Sequence, residues 1–119
     1  MQSILLNQIA YARSGDKGDN ANIGVIAHTK AGYEQLLKHL TVEAVQNYFQ
    51  GLFPQKVERF ELPNLLAVNF VLHGVLDGGG NRSLRIDAQG KTLGQAILLM
   101  PLQLEEHILS DCLPATGPQ

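Results

Sequence analysis

An α+β sandwich, with helices packed on one face of a mainly antiparallel sheet, is the fold class that this sequence predicts. Three observations lead there. Period-2 segments dominate both ends of the pattern, two helical stripes fall between them, and a third helical stripe follows a glycine-rich stretch. The length of 119 residues suits one domain with a single core, and 45% apolar against 17% charged residues suits a globular chain.

The first element is a strand over Ile4 to Arg13, with Ile9, Tyr11 and Arg13 on one face and Ala10 and Ala12 on the other. "NIGVIAHT" is the second, placing Ile23, Val25 and Ala27 opposite Gly24, Ile26 and His28. The intervening "RSGDKGDNAN", Arg13 to Asn22, then joins the two strands as a hairpin loop. Tyr33, Leu36, Leu37 and Leu40 follow at helical spacing, and Val42, Val45, Phe49, Leu52 and Phe53 form a second stripe that ends before Pro54. Thr41 between them is an N-cap, because its hydroxyl can accept from an early backbone N–H, and the helix dipole favours Glu43 in the first turn.

"KVERFEL" and "AVNFVLH" form a second hairpin, broken by Pro63 and Asn64. In the latter, Val68, Phe70 and Leu72 share one face, and Asn69, Val71 and His73 the other. "RSLRID" is a short strand, and Gly90 in "DAQG" suits a turn that needs positive φ. Thr92 with Gln95 makes a capping box ahead of Leu93, Ala96, Ile97 and Met100, and Pro101 limits that helix. We therefore expect a domain over residues 1–100 and a partly loose C-terminal tail over 101–119.

The formal charge of -2, few aromatics and no Trp leave neither a polybasic surface nor a stacking platform, which disfavours nucleic acid. The N-terminus lacks the pattern of a signal peptide, and no run reaches the roughly 18 apolar residues that a membrane helix needs. The expectation is a cytoplasmic protein without a membrane role. Cys112 is the single cysteine, so no internal disulfide can form, and it lacks an activating context.

"SGDKGDNAN" offers oxygen ligands at Asp16, Asp19, Asn20 and Asn22, but an EF-hand counted from Asp16 lacks the Gly at its sixth position and has Ala27 at its twelfth. The phosphate-binding glycine motifs are absent too. Two readings stay open. In one, Gly15 and Gly18 help gather backbone N–H groups into an anion nest beside Lys17 and Arg13. In the other the stretch is a solvated hairpin loop. "HGVLDGGGNRS" raises a parallel question: Gly78, Gly79 and Gly80 suggest mobility or a close backbone approach, with Asp77, Asn81 and Arg82 beside them. His73 would stand next to Asp77 and Arg82 if that loop folds back, where it could act as a general base; otherwise it is structural.

Together, "IAYARSGDKGDNANIGVIA" and "ELPNLLAVNFVLHGVLDGGGNRSLRIDAQGKTL" resemble the C-terminal domain of the acyclic terpene utilisation A (AtuA) family, over about residues 8 to 100. The resemblance implies a ferredoxin-like two-layer domain that usually follows a much larger N-terminal domain. It also implies a link to bacterial breakdown of acyclic terpenoids and branched acids through acyl-CoA intermediates. It transfers no catalytic residues, and it suggests a separately encoded large AtuA-type subunit as partner.

The leading expectation is an accessory domain, homo-oligomeric because one sheet face lacks helices. It would bind an acidic metabolite, an acyl-CoA or a partner through Arg13, Ser14, Lys17, Asn20, Asn22, Gly78, Gly79, Gly80, Asn81 and Arg82. No metal or cofactor is expected. One rival is a small hydratase or lyase using Asp16, Lys17, Asp19 and His73 for proton transfer. Another is a docking module with no ligand.

Overall fold

The alternation of residues 21–27 and 67–72 decides which side of the sheet is buried. In a computed structural model, which describes residues 1–75 and 92–114, Ala21, Ile23, Val25 and Ala27 lie on β3 (Asn20–Ala27) and Val68, Phe70 and Leu72 on β5 (Ala67–His73). All seven are 4% exposed or less. Ile23 pairs with Phe70 and Val25 with Val68, so the apolar residues of neighbouring strands form continuous rows facing the helices. With β2 (Ala10–Lys17) and β4 (Lys56–Leu62) these strands make a sheet of order β2-β3-β5-β4, antiparallel throughout.

Four described helices complete the second layer: α1 (Lys30–His39), α2 (Val42–Tyr48), α3 (Leu93–Ile97) and α4 (Glu106–Cys112). The fold is α+β, as expected. Threonine caps begin three of them. Thr29 Oγ1 accepts from Gly32 N at 3.0 Å, Thr41 Oγ1 from Ala44 N at 3.1 Å, and Thr92 forms the full capping box with Gln95. Arg59, on the helix-facing side of β4, donates to the carbonyls of Leu37 and Leu40 at 3.0 and 3.1 Å. It thereby satisfies carbonyls that the end of α1 leaves without partners.

Three expectations need correction. The segment from Ile4 to Arg13 is not one strand. β1 (Gln2–Leu5) pairs with β6 (Pro101–Leu104) in a separate two-stranded sheet, and a 3-10 turn over Leu6–Gln8 intervenes before β2. That turn resets the phase, so Ile9 is buried while Tyr11 and Arg13 are exposed.

Phe53 does not continue the helical stripe. α2 stops at Tyr48, a 3-10 turn covers Gln50–Leu52, and Phe53 takes a left-handed φ of +50° with 65% of its surface exposed.

Residues 101–112 are not a loose tail. β6 and α4 bury Leu102, Leu104, Leu109 and Cys112, and Thr29 Oγ1 bonds the Asp111 carbonyl at 2.9 Å. The alternation of Leu102 and Leu104 carries a strand that Pro101 begins rather than prevents. The strand expected at "RSLRID" and the turn at Gly90 lie outside the described residues.

Candidate functional site

The charged stretch 13–22 is mostly strand. Arg13 pairs with Gly24, Ser14 with Ile23, Gly15 with Asn22, Asp16 with Ala21 and Lys17 with Asn20. Only Gly18 and Asp19 are left to turn the chain, and Gly18 supplies φ +62° at the first of these two positions. A glycine there matches the hairpin turns whose twist suits paired strands, so the ladder runs on to its tip. The stretch is thus a hairpin, as expected, but most of it is paired strand and the turn is only two residues long. Paired extended strands do not gather successive N–H groups on one point, and the anion-nest reading falls.

Strand alternation then separates the candidate residues. Ser14 and Asp16 share rows with Ile23 and Ala21, on the helix side of the sheet. His73 lies with Val71 and Asn69 on the other side. Asp16 and His73 therefore face away from each other, and Asp19 sits in the turn. Asn20 is a tether rather than a free ligand group, because its Oδ1 accepts from Gly74 N at 3.2 Å. Ser14 lies under the start of α3, where a Cβ on Gly94 would meet its Oγ at 3.3 Å.

His73 does have an acidic neighbour, which sequence reasoning missed. Its Nε2 lies 2.6 Å from Glu58 Oε1 on the adjacent strand. The hydrogen bond from His73 and, secondarily, the positive charges of Lys56 and His73 outweigh burial and hold the Glu58 carboxyl below the usual carboxylate value. The 15-residue separation hides this pair in the sequence. Hairpin register reveals it, since Lys56 pairs with His73 and Glu58 with Val71. Burial and the neighbouring Asp111 push the Cys112 thiol up, consistent with an inert core cysteine.

Gly78, Gly79, Gly80, Asn81 and Arg82, with Asp77, lie outside the described residues. Their flanks are informative. Gly74, at φ +78°, is bonded to Asn20, and Gly94 packs on Ser14. Both flanks are thus attached to the β2–β3 hairpin, the first near its tip and the second at mid-strand.

The face of the sheet turned away from the described helices carries a groove of about 290 Å³. Across its floor run Arg13, Gly24 and Asn69 on three adjacent strands, paired in register. Gly24 leaves the middle of that row without a side chain, and Asn69 Oδ1 lies 3.6 Å from where a Cβ would stand. Asn22 adds a second amide, while Leu62 and Leu65 form an apolar wall.

Leu65 is 64% exposed, held out by a turn in which Leu66 adopts a left-handed conformation at φ +53°. Hydrogen bonds from Leu66 N to Pro63 O and from Ala27 N to Leu66 O fix that unusual backbone. Arg13 has no ion pair or side-chain hydrogen bond among the described residues. Arg13, Ser14 and Asn22 are the expected site residues that line this concave surface; Gly24, Leu62, Leu65 and Asn69 were not anticipated there.

Among the described residues no three His, Cys, Asp or Glu side chains gather as a metal-binding group, and no helix is long and apolar enough to cross a membrane. A family model described as the AtuA ferredoxin-like domain matches residues 4–103. No curated protein matches the chain, and no solved structure does.

Proposed function

The chain belongs to the AtuA ferredoxin-like domain family, and from that premise we propose that it is an accessory domain that binds an anionic small molecule on the open face of its sheet. The observation that carries this reading is Arg13, a guanidinium with no partner among the described residues, lining a groove with two amide side chains and an apolar wall. A concave, mainly apolar site with a few convergent polar groups is the usual form of a small-molecule site. The separation of Asp16 from His73 counts against the hydratase or lyase alternative, which needs its proton-transfer groups on one side.

A thermal-shift screen of the whole chain against carboxylates, acyl-CoAs and phosphate, repeated with Arg13→Gln, tests the proposal. A saturable rise in Tm with at least one of these anions, lost in the variant, is expected. No rise with any of them would refute it.

A second reading has its own observation. Tyr11, Phe60, Leu62 and Leu65 are all exposed at or beside the open face, more apolar surface than a helix-free sheet usually shows to water. It suits a homo-oligomer or a separately encoded large AtuA-type subunit covering the area outside the groove. Light scattering that returned a monomer, with no complex on mixing with such a subunit, would dispose of it.

A further inference from the structure

We infer that the groove takes a free aliphatic carboxylate rather than a phosphate or a CoA thioester, an inference that rests on the anion-binding reading above. The charge pattern is the first reason. Arg13 is the one described cation lining the groove. Lys56 and His73 are engaged with Glu58, and Arg59 with Glu61 and the carbonyls of α1. A single guanidinium matches one carboxylate through two parallel N–H···O bonds. A polyphosphate needs several cations, and here it would instead meet the Glu58 carboxylate, one row from Asn69 on the same face.

Size and shape point the same way. At about 290 Å³ the groove lies at the lower end of the roughly 300–1,000 Å³ usual for small-ligand sites, a size that suits a carboxylate with a short alkyl chain better than an acyl chain together with a nucleotide. From Arg13, the bare floor at Gly24 opens a path to Leu62 and Leu65. A carboxylate on Arg13, with Asn22 and Asn69 beside it, directs an alkyl chain along that path.

Isothermal titration of the whole chain with butanoate, hexanoate, octanoate, methyl octanoate, octanoyl-CoA and inorganic phosphate decides the matter. Octanoate is expected to bind, with affinity rising about two- to fourfold per methylene from butanoate upward as apolar surface is buried. Methyl octanoate, octanoyl-CoA and phosphate are expected to bind at least about tenfold more weakly, for want of the charge-assisted pair or of space.

Arg13→Gln and Gly24→Val should each abolish octanoate binding while leaving the circular dichroism spectrum unchanged. Octanoate binding that survives Arg13→Gln overturns the inference. Binding of octanoyl-CoA or phosphate with octanoate silent overturns it too, but leaves the anion reading standing. Silence from every probe overturns both.

Discussion

Gly24→Ala should make the protein more stable. Glycine within a strand costs roughly 0.5–1 kcal/mol relative to alanine, because the unfolded chain has more conformations to lose. Such a glycine is structurally required only where φ is positive or a neighbour presses on the missing Cβ. Neither holds at Gly24: its φ is not in the positive range, and among the described residues the heavy atom near the Cβ position is Asn69 Oδ1 at 3.6 Å, an ordinary contact. The full gain is therefore expected, which for a domain of this size corresponds to a rise in Tm of about 2–5 °C. Differential scanning calorimetry on the two proteins measures it. A fall in Tm would refute the reasoning, because it would mean that folding itself needs the glycine and that its position in the groove floor is incidental.

The Glu58 carboxyl is held below its ordinary value in the folded state, so its contribution to stability is present above the unfolded value and is lost as pH falls through the folded one. Carbon-detected NMR titration should show it titrating below the ordinary glutamate value and moving up towards that value in His73→Leu; an unchanged midpoint would remove His73 as the cause. Arg59→Met should cost about 1.5–3 kcal/mol in urea unfolding, since two carbonyls at the end of α1 lose a charged donor; a loss below about 0.5 kcal/mol would mean that water replaces it. Gly74→Ala should cost about 1–2 kcal/mol, because φ is +78° and the new Cβ would lie 2.7 Å from Gln55 Cδ. Adding Gln55→Ala should recover the steric part only, and a full recovery would show that the backbone conformation carries no penalty.

Much of the fold was legible because local signals agreed with one another. Val68, Phe70 and Leu72 alternate with Asn69, Val71 and His73, and Thr41 and Thr92 stand where capping hydroxyls are needed. The failures have physical causes. The 3-10 turn at Leu6–Gln8 interrupts an apolar run without a glycine or proline to mark it, and its bonds to Leu98 and Met100 come from far along the chain. The tail was misjudged because Pro101 reads as a stop, whereas the pairing of β6 with β1 tolerates a proline at the first position of an edge strand. The groove was only partly visible, because Arg13, Gly24 and Asn69 become neighbours through strand register alone.

That register also explains why the charged stretch gave no single chemical reading. A strand presents successive residues to opposite faces, so a motif continuous in sequence is divided between two environments. Ser14 goes to the helix side and supports the start of α3, while Arg13 goes to the open face and meets Gly24 and Asn69. At the end of the hairpin Asn20 is used up in holding Gly74. Density of charged and small residues in the sequence therefore reflects several separate tasks of one hairpin, each needing a polar or compact side chain for its own reason. On that hairpin Arg13 combines a charge, a side chain without a partner among the described residues and a concave setting, which is why the binding reading rests on it.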